Sequence, residues 1–219
     1  ALAIDRRLGT EGSAATSLNN IGMVYDDWGQ YDNALKYYEE ALATFKKLGE
    51  EGSIATCLNN IGLVYYSWGQ YDKAIEYFEE SLAIDKRQGR EADIARDINN
   101  IGVVYNSWGQ YDKAIKNYEE ALDIARKLGQ EGMIGLSLSN IGWIYGLQEK
   151  YKTAIEYFNE SVEKIEKIRK TATGDIRRDY LASQLYTYQL LSSAYIRESN
   201  IPGAFQTVEL SRAKLLTER

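Results

Sequence analysis

The sequence predicts an all-α fold, in which antiparallel helix pairs stack into an α-α superhelix. Three observations support this prediction. A motif, NNIGLVYYSWGQYDKA at residues 59–74, recurs at 19–34 and 99–114, with a divergent copy at 139–154. The copies lie 40 residues apart, a period typical of stacked repeats that bury their apolar faces against their neighbours. The 219 residues also include only one proline, which suits a nearly continuous succession of helices.

The composition argues against several classes of function. The net charge is −6 and the pI about 5.0, whereas general nucleic-acid binders and anionic-membrane binders need clustered Lys and Arg. The chain has no histidine and one cysteine, Cys57, which removes the usual general base, a disulfide framework and the common metal ligands. We therefore expect no catalytic residues, no metal, no cofactor and a cytoplasmic location. No apolar run approaches the roughly 18 residues of a membrane span.

The 40-residue period sets the expected domain organisation. Residues 1–4 align with 41–44 and 121–124, so we interpret the chain as an excised fragment that starts inside a preceding repeat. The predicted divisions are the end of that repeat at 1–10, four repeats at 11–50, 51–90, 91–130 and 131–170, the last with an extended second helix, and a divergent fifth repeat at 171–219.

Each repeat is expected to form two helices, as the second repeat illustrates. Leu58, Ile61, Gly62 and Tyr65 share one helical face, which predicts a first helix over residues 51–67. Trp68-Gly69-Gln70 then interrupts the pattern, and a second helix is expected from Tyr71. Lys86-Arg87 suit the last turn of this helix, and Gly89 is the expected C-terminal stop.

Two small residues recur where these helices would cross. Glycine in the middle of a helix costs about 1 kcal/mol relative to alanine, so its recurrence implies that a side chain there would collide with the neighbouring helix. The glycines are Gly22, Gly62, Gly102 and Gly142, and the matching alanines of the second helices are Ala34, Ala74, Ala114 and Ala154.

The pattern changes after Tyr151. The helix that begins there is expected to continue through Ile168 and to be followed by a loop at residues 171–175. A further first helix is expected from Arg177 to about Glu198, and a final helix from Pro202 to about Leu216, since proline suits a first helical turn. The step from Tyr145 to Tyr195 is 50 residues, which implies an insertion of ten residues.

The repeat resembles the tetratricopeptide repeat (TPR). Its spacing is that of Leu58, Ile61-Gly62, Tyr65, Gly69, Tyr71, Ala74 and Phe78. The longer period and the paired Asn in the first helix are similar to kinesin light chains and Pins-type polarity adaptors. The resemblance implies a concave groove lined by first helices, which binds a protein or peptide. The implied groove residues are Asn19, Asn20, Met23, Asn59, Asn60, Leu63, Tyr66, Arg96, Asn99, Asn100, Val103, Asn106, Asn140 and Trp143.

The paired Asn residues allow two interpretations. A side-chain amide both donates and accepts hydrogen bonds, so a row of Asn could hold the backbone of an extended peptide. The apolar row Met23, Leu63, Val103 and Trp143 would then accept the side chains of that peptide. Alternatively, the Asn residues bond to one another or to adjacent helices as clips between repeats.

Other residues in and near this groove also leave alternatives open. Arg96 is the one cation at the groove positions, and Asp26 and Asp27 oppose it, which argues against capture of a peptide carboxylate. Trp143 could be a binding anchor or a core residue next to the divergent repeat. Trp28, Trp68 and Trp108, at the helix turns, are expected to be packing residues.

The end of the chain carries a second resemblance. Residues 204–216 are similar to the segment that closes the TPR arm of bacterial proteins with a caspase-like CHAT peptidase domain. The leading hypothesis is therefore a non-catalytic interaction module, the sensor arm of a CHAT-type protein. The alternative is a structural scaffold that self-associates end to end through its terminal repeats. An enzyme around Arg177-Arg178-Asp179 is not expected, because nothing there pairs a nucleophile with a base.

Overall fold

The computed structural model confirms an all-α protein. It describes the secondary structure of residues 2–171 and 174–216 and the side chains of residues 10–170 and 184–211. Helices and turns account for these residues, and no strand occurs among them. The helices are α1 (Leu2–Asp27), α2 (Tyr31–Leu48), α3 (Glu51–Ser67), α4 (Tyr71–Gln88), α5 (Glu91–Ser107), α6 (Tyr111–Leu128), α7 (Glu131–Leu147), α8 (Tyr151–Thr171), α9 (Gly174–Arg197) and α10 (Ile201–Leu216).

The helices form two compact units, Ala1–Gln110 with α1 to α5 and Tyr111–Arg219 with α6 to α10. Within each unit, every helix packs against the helix that follows it. In addition, α1 contacts α3 in the first unit, and α7 contacts α9 in the second. We call the odd-numbered helices the first helices and the even-numbered helices the second helices, and we call the two units unit 1 and unit 2.

The helix boundaries of the second repeat agree with the sequence prediction. The break after α3 is made by Gly69, at φ +76°, and α4 is stopped by Gly89, at φ +67°. After α4, the Gly89 N–H donates to the Lys86 carbonyl (3.3 Å), and the Arg90 N–H donates to the Asp85 carbonyl (3.1 Å). These bonds satisfy carbonyls that the helix end would otherwise leave without partners.

The recurrent glycine allows the two helices of a repeat to pack closely. A Cβ atom added to Gly62 would lie 2.7 Å from Cε1 of Phe78 in α4, and one added to Gly22 would lie 2.9 Å from the Tyr38 ring in α2. Both distances are shorter than van der Waals contact. The glycine is therefore required because an aromatic side chain of the second helix occupies the space of its missing Cβ.

Ion pairs repeat at the opposite end of the helix pair. An acid at the start of the repeat pairs with a cation near the end of the second helix of the same repeat. The pairs are Glu11–Lys47 (2.9 Å), Glu51–Arg87 (3.0 Å) and Glu131–Lys167 (2.6 Å). Lys47 and Arg87 are in the last turns of α2 and α4, where they also interact favourably with the C-terminal end of the helix dipole. The sequence predicted the dipole contact but not the pairing.

The first helix is longer than the other first helices of unit 1. α1 extends over 26 residues, from Leu2 to Asp27, and continues through Gly9, whereas α3 and α5 have 17 residues each. The predicted division at residues 1–10 therefore has no boundary in the secondary structure.

The divergent repeat follows the prediction with small shifts. α8 extends through Ile168 as expected and ends at Thr171; residues 172 and 173 of the expected loop lie outside the described residues. α9 begins three residues before Arg177, and the side chains of Arg177-Arg178-Asp179 also lie outside the described part. α10 begins at Ile201, because Oδ1 of Asn200 accepts a hydrogen bond from the Gly203 N–H (3.0 Å) and caps the helix.

No helix in the described part of the chain is both long enough and apolar enough to cross a membrane.

Candidate functional site

The first helices of unit 1 carry a solvent-accessible apolar stripe. Met23 is 49% exposed and Leu63 37% exposed, and Val103 is half-buried at the same repeat position. Three residues before each of them, Asn20 is exposed, and Asn60 and Asn100 are half-buried. Positions three apart are neighbours on a helix surface. An apolar row thus runs beside an amide row, and we call the two rows together the unit 1 face; its residues are Asn20, Met23, Asn60, Leu63, Asn100 and Val103.

The other Asn of each pair lies against the next repeat. Asn59 is 5% and Asn99 4% exposed. The Asn59 amide donates to Oδ1 of Asp97 (2.7 Å), and Oδ1 of Asn19 accepts from the Cys57 thiol (3.5 Å). This geometry favours the clip interpretation for Asn19, Asn59 and Asn99, and the burial of Asn59 and Asn99 differs from their predicted exposure in the groove.

The same clip recurs in unit 2 after the ten-residue insertion. Ser139, which replaces the first Asn, is 3.2 Å from the Thr187 hydroxyl, at a sequence separation of 48. The separation is 38 for both the Asn19–Cys57 and Asn59–Asp97 pairs. The difference equals the insertion inferred from the sequence. This position therefore links consecutive first helices at three junctions.

Asn60 belongs to the unit 1 face and also makes a contact between repeats. Its amide nitrogen donates to Oδ1 of Asn19 (3.0 Å), which leaves its own carbonyl oxygen and a second N–H for other partners. Because Asn60 is half-buried on the unit 1 face, these groups are close to solvent.

Arg96 is held by carboxylates. Its guanidinium lies 2.7 Å from Asp93, 3.5 Å from Asp97 and 3.8 Å from Asp85. Arg90 also binds Asp85 through Nε (3.0 Å). Arg96 is thus a counter-ion within the protein, and the structure gives it a structural role in place of the predicted groove contact. We call these five residues the Asp85–Asp97 cluster.

The two central carboxylates of this cluster are almost completely buried. Asp85 is 1% and Asp97 0% exposed, and Oδ2 of each has no hydrogen-bond partner among the described residues. Burial raises the pKa of Asp97 to about 6; the Ser81 hydroxyl and Arg96 oppose this rise without cancelling it. The Ser81 hydroxyl donates to the Ala55 carbonyl (3.0 Å), and it can turn between that carbonyl and the carboxylate because a hydroxyl rotates freely.

Sequence reasoning did not find this cluster, although a signal was present. Asp85 stands where the other repeats have Phe45, Ala125 and Ile165, three apolar residues that are buried in the structure. A charged residue at an apolar repeat position requires a buried counter-ion. Arg90 and Arg96, which depart from the repeat pattern nearby, supply it.

The remaining predicted groove residues lie in two places. In unit 1, the Tyr66 hydroxyl is 3.0 Å from the Ser107 hydroxyl, and Asn106 is half-buried. In unit 2, Trp143 is half-buried against the core, and its ring centroid lies 6.2 Å from that of Tyr186, which is 56% exposed. Asn140 of unit 2 is half-buried and makes polar contacts. Trp143 thus combines core packing with contact to an exposed aromatic ring.

The tryptophans at the helix turns pack against tyrosines. The ring centroid of Trp68 lies 5.8 Å from that of Tyr31, and the centroid of Trp108 lies 6.0 Å from that of Tyr71. Both tryptophans are 40% exposed, so part of each ring still faces solvent. Both therefore make the packing contacts that the sequence predicted.

The single cysteine is poorly suited to nucleophilic catalysis. Burial raises the pKa of the Cys57 thiol to about 12, and its hydrogen bond to Asn19 is structural. A thiol with this pKa is almost entirely protonated at neutral pH and is a poor nucleophile. Among the described residues, no cluster of three or more Cys, Asp or Glu is arranged to hold a metal ion.

Comparison with solved structures identifies proteins of similar fold. BtubC (BKLC) from P. vanneervenii is 20% identical, with a TM-score of 0.79 over 95% of this chain and 84% of that chain. A putative kinesin light chain from Podosopora anserina with nearly identical TPR-like repeats is 20% identical, with a TM-score of 0.69 over 95% and 98%. The Rap conjugation gene regulator of the plasmid pLS20, solved with the Phr* peptide, is 20% identical, with a TM-score of 0.69 over 89% and 51%.

The chain spans about half of the length of the Rap regulator. No curated protein matches the sequence. The family model of the tetratricopeptide repeat matches residues 1–47, 13–87 and 93–167, which together make up most of the chain. The chain therefore belongs to the tetratricopeptide repeat family.

Proposed function

We propose that the chain is a non-catalytic interaction module and that its unit 1 face binds an extended peptide or protein segment. The observation that carries the proposal is the accessible apolar row Met23, Leu63 and Val103. The residues one position after them are Val24, Val64 and Val104; Val64 and Val104 are 0% exposed. Each interior repeat thus keeps one apolar residue in the core and presents the preceding one to solvent.

In this proposal, the amide row holds the backbone of the segment. Asn20, Asn60 and Asn100 flank the apolar row, and each amide can donate to and accept from an extended main chain. The first Asn of each pair, at positions 19, 59 and 99, serves as a clip between repeats. Arg96 belongs to the Asp85–Asp97 cluster, and Tyr66 and Asn106 border the face without forming it.

Unit 2 offers a separate contact of a different kind. Trp143 and Tyr186 form an aromatic pair on α7 and α9, with Asn140 one turn away from Trp143. Partly exposed aromatic pairs are frequent anchors in protein interfaces. We propose that this pair supplies an additional anchor for a protein partner.

The proposal agrees with what related folds do. The Rap regulator was solved with a bound Phr* peptide, and it shares the helical fold of this chain. At 20% identity the likeness concerns the fold alone, so the residues that bind are argued from this chain.

The test begins with a heptapeptide phage library selected on the 219-residue protein. Enriched peptides are synthesised with a fluorophore, and their Kd values are measured by fluorescence anisotropy against wild type and two double variants. One variant is Met23→Ser with Leu63→Ser, and the other is Asn60→Ala with Asn100→Ala. Because Met23 and Leu63 are partly exposed, loss of binding in the first variant is expected with helicity unchanged.

Asn59→Ala is the matched control. It alters the buried Asn of the same repeat and is expected to lower the melting temperature while changing the peptide Kd less than twofold. The proposal is contradicted if no peptide is enriched, or if enriched peptides bind Met23→Ser/Leu63→Ser as tightly as wild type.

We further propose that the chain is the sensor arm of a larger bacterial, cytoplasmic protein with a CHAT-type peptidase. This rests on the resemblance of residues 204–216 and is tested by reading the coding sequence beyond Arg219. A downstream open reading frame with a Cys–His peptidase pair supports it, and a stop codon or an unrelated domain contradicts it.

A second candidate function, end-to-end self-association, is favoured by two uncovered apolar faces. On α1, Ile21 is 40% and Val24 45% exposed, although the equivalent Ile61 and Val64 are both 0% exposed. On α10, Phe205 is 66% exposed, although the equivalent Ile75 is 9% exposed. Inside the units, a helix of the neighbouring repeat covers the equivalent residues. A second copy of the chain could therefore cover the exposed residues of α1 and α10.

Sedimentation velocity over a concentration series distinguishes this candidate from the first. A sedimentation coefficient that rises with concentration in the wild type, and stays monomeric in Phe205→Ser, supports self-association. A constant monomeric value in the wild type excludes it for this chain.

A further inference from the structure

Between residues 10 and 107, the basic residues are concentrated on the second helices. From Thr10 to Ser107, the first helices contain one basic residue, Arg96, whereas α2 and α4 contain six. The acids Glu11 and Glu51 of the first helices are paired with cations of the second helices. The charges that remain next to the unit 1 face therefore determine the sign of its electrostatic potential.

The single cation of the first helices between residues 10 and 107 makes no net positive contribution. Arg96 lies within 4 Å of three carboxylates, Asp85, Asp93 and Asp97. Arg90 shares Asp85 and Asp93 with it. Three carboxylates against two guanidinium groups leave this part of α5 neutral or slightly negative.

Two carboxylates stand beside the stripe at its α1 end. Asp26 and Asp27 follow Met23 by three and four residues, so both lie on the helix surface next to it. Asp27 is exposed and Asp26 half-buried, and neither makes an ion pair with any of the described residues. Partial burial and the charge of Asp27 raise the pKa of Asp26. A cation placed between the two carboxylates would relieve this repulsion.

The acid pair is confined to one helix. The equivalent positions are Tyr66 and Ser67 on α3, and Asn106 and Ser107 on α5. None of these four residues is Asp or Glu. A pair of adjacent carboxylates at these positions therefore occurs only at the α1 end of the unit 1 face, where it can fix the position of a bound segment.

We propose that the unit 1 face selects segments in which a Lys or Arg precedes or follows aliphatic side chains. The cation binds between Asp26 and Asp27, and the aliphatic groups pack on Met23, Leu63 and Val103. This proposal rests on the proposed function and specifies its ligand. Neighbouring helices are about 9 Å apart, and an extended chain rises about 3.3 Å per residue. Side chains that share one face of an extended chain are separated by an even number of residues, so ligand side chains that reach successive helices are expected about two to four residues apart.

The experiment compares three phage libraries of random heptapeptides, which differ only in one fixed residue: Arg, Gln or Glu. Each library is selected on wild type, and the most enriched peptide that depends on Leu63 is measured by fluorescence anisotropy. We expect enrichment in the order Arg, Gln, Glu. The double variant Asp26→Asn/Asp27→Asn should weaken the Arg peptide about fivefold, the size of one good exposed ion pair, and should leave the Gln peptide unchanged.

The double variant Asp32→Asn/Asp72→Asn is the matched control. It removes two exposed acids from second helices, so it changes the net charge equally and should leave the affinity for the Arg peptide unchanged. Equal weakening by both double variants would show a non-specific charge effect and overturn the proposal. Leu63-dependent peptides without preference for Arg would overturn it while keeping the proposed function, whereas the absence of any Leu63-dependent peptide would overturn both.

Discussion

Substitution of Asp97 by Asn should change how stability depends on pH. The carboxyl of Asp97 is 0% exposed, and its pKa is about 6, compared with an ordinary value of 3.8. A rise of about two pKa units corresponds to about 3 kcal/mol of free energy. Because the folded state binds the proton more tightly than the unfolded state, the ionised carboxylate destabilises the fold above pH 6. That destabilisation is relieved as the pH falls from 6 to 4.

The assay is urea denaturation followed by circular dichroism at pH values from 4 to 7.5. The quantity of interest is the unfolding free energy of Asp97→Asn minus that of wild type, because this difference cancels the titration of all other groups. We expect the difference to fall by about 2 kcal/mol, in favour of wild type, between pH 7 and pH 4, with the remainder of the ~3 kcal/mol developing below pH 4. Asp72→Asn, which removes an exposed carboxylate, is the control for the loss of one negative charge. Parallel pH profiles for wild type and Asp97→Asn would refute the reasoning.

Three further substitutions test the packing of the repeats by thermal or urea denaturation. Gly62→Ala should lower the free energy of unfolding by about 1–2 kcal/mol, because its Cβ would lie 2.7 Å from the Phe78 ring. The control Gly52→Ala, whose Cβ meets only the flexible Arg90 side chain at 3.5 Å, should be neutral or stabilising. Equal effects of the two substitutions would contradict the account. Gly89→Ala should cost about 1 kcal/mol through its positive φ alone, since its Cβ would meet nothing within 4 Å; no loss would contradict a left-handed cap. Arg96→Ala should cost about 3 kcal/mol by leaving buried Asp97 and Asp85 with fewer counter-charges, and a loss below 1 kcal/mol would indicate that Arg90 alone suffices.

The sequence predicted the fold well because the repeat supplies the same information several times. The boundaries of α3 and α4, the stop at Gly89 and the collision at Gly62 all follow from positions that recur every 40 residues. Local rules for helix ends and helical faces determine these features. The tertiary environment changes them little, since each repeat packs mainly on its neighbours.

The candidate site was harder to predict, for a geometric reason. Asn59 and Asn60 are adjacent, so their side chains point about 100° apart around the helix. Which of them faces the next repeat depends on how the first helices tilt against each other, and the sequence does not specify that angle. The structure turns Asn59 toward Asp97 and Asn60 toward Asn19 and solvent.

The Asp85–Asp97 cluster escaped the repeat-based reasoning because it occurs at one junction only. Its residues come from α4, α5 and the turn between them, and they depart from the pattern that the other repeats share. A comparison of the repeats would have shown that Asp85, Arg90 and Arg96 all differ from the residues at the equivalent positions of the other repeats. An acid and two bases that differ together in this way would have predicted a buried ionic cluster.

The central claim is that a ligand binds to the unit 1 face. Methyl NMR on the 219-residue protein, titrated with a selected peptide, tests it most directly. The account predicts large chemical-shift changes for the methyl groups of Met23, Leu63 and Val103, with small changes for Leu42 in the core of unit 1 and for Met133 of unit 2. Changes concentrated on second helices, or none at saturating peptide, would contradict the claim.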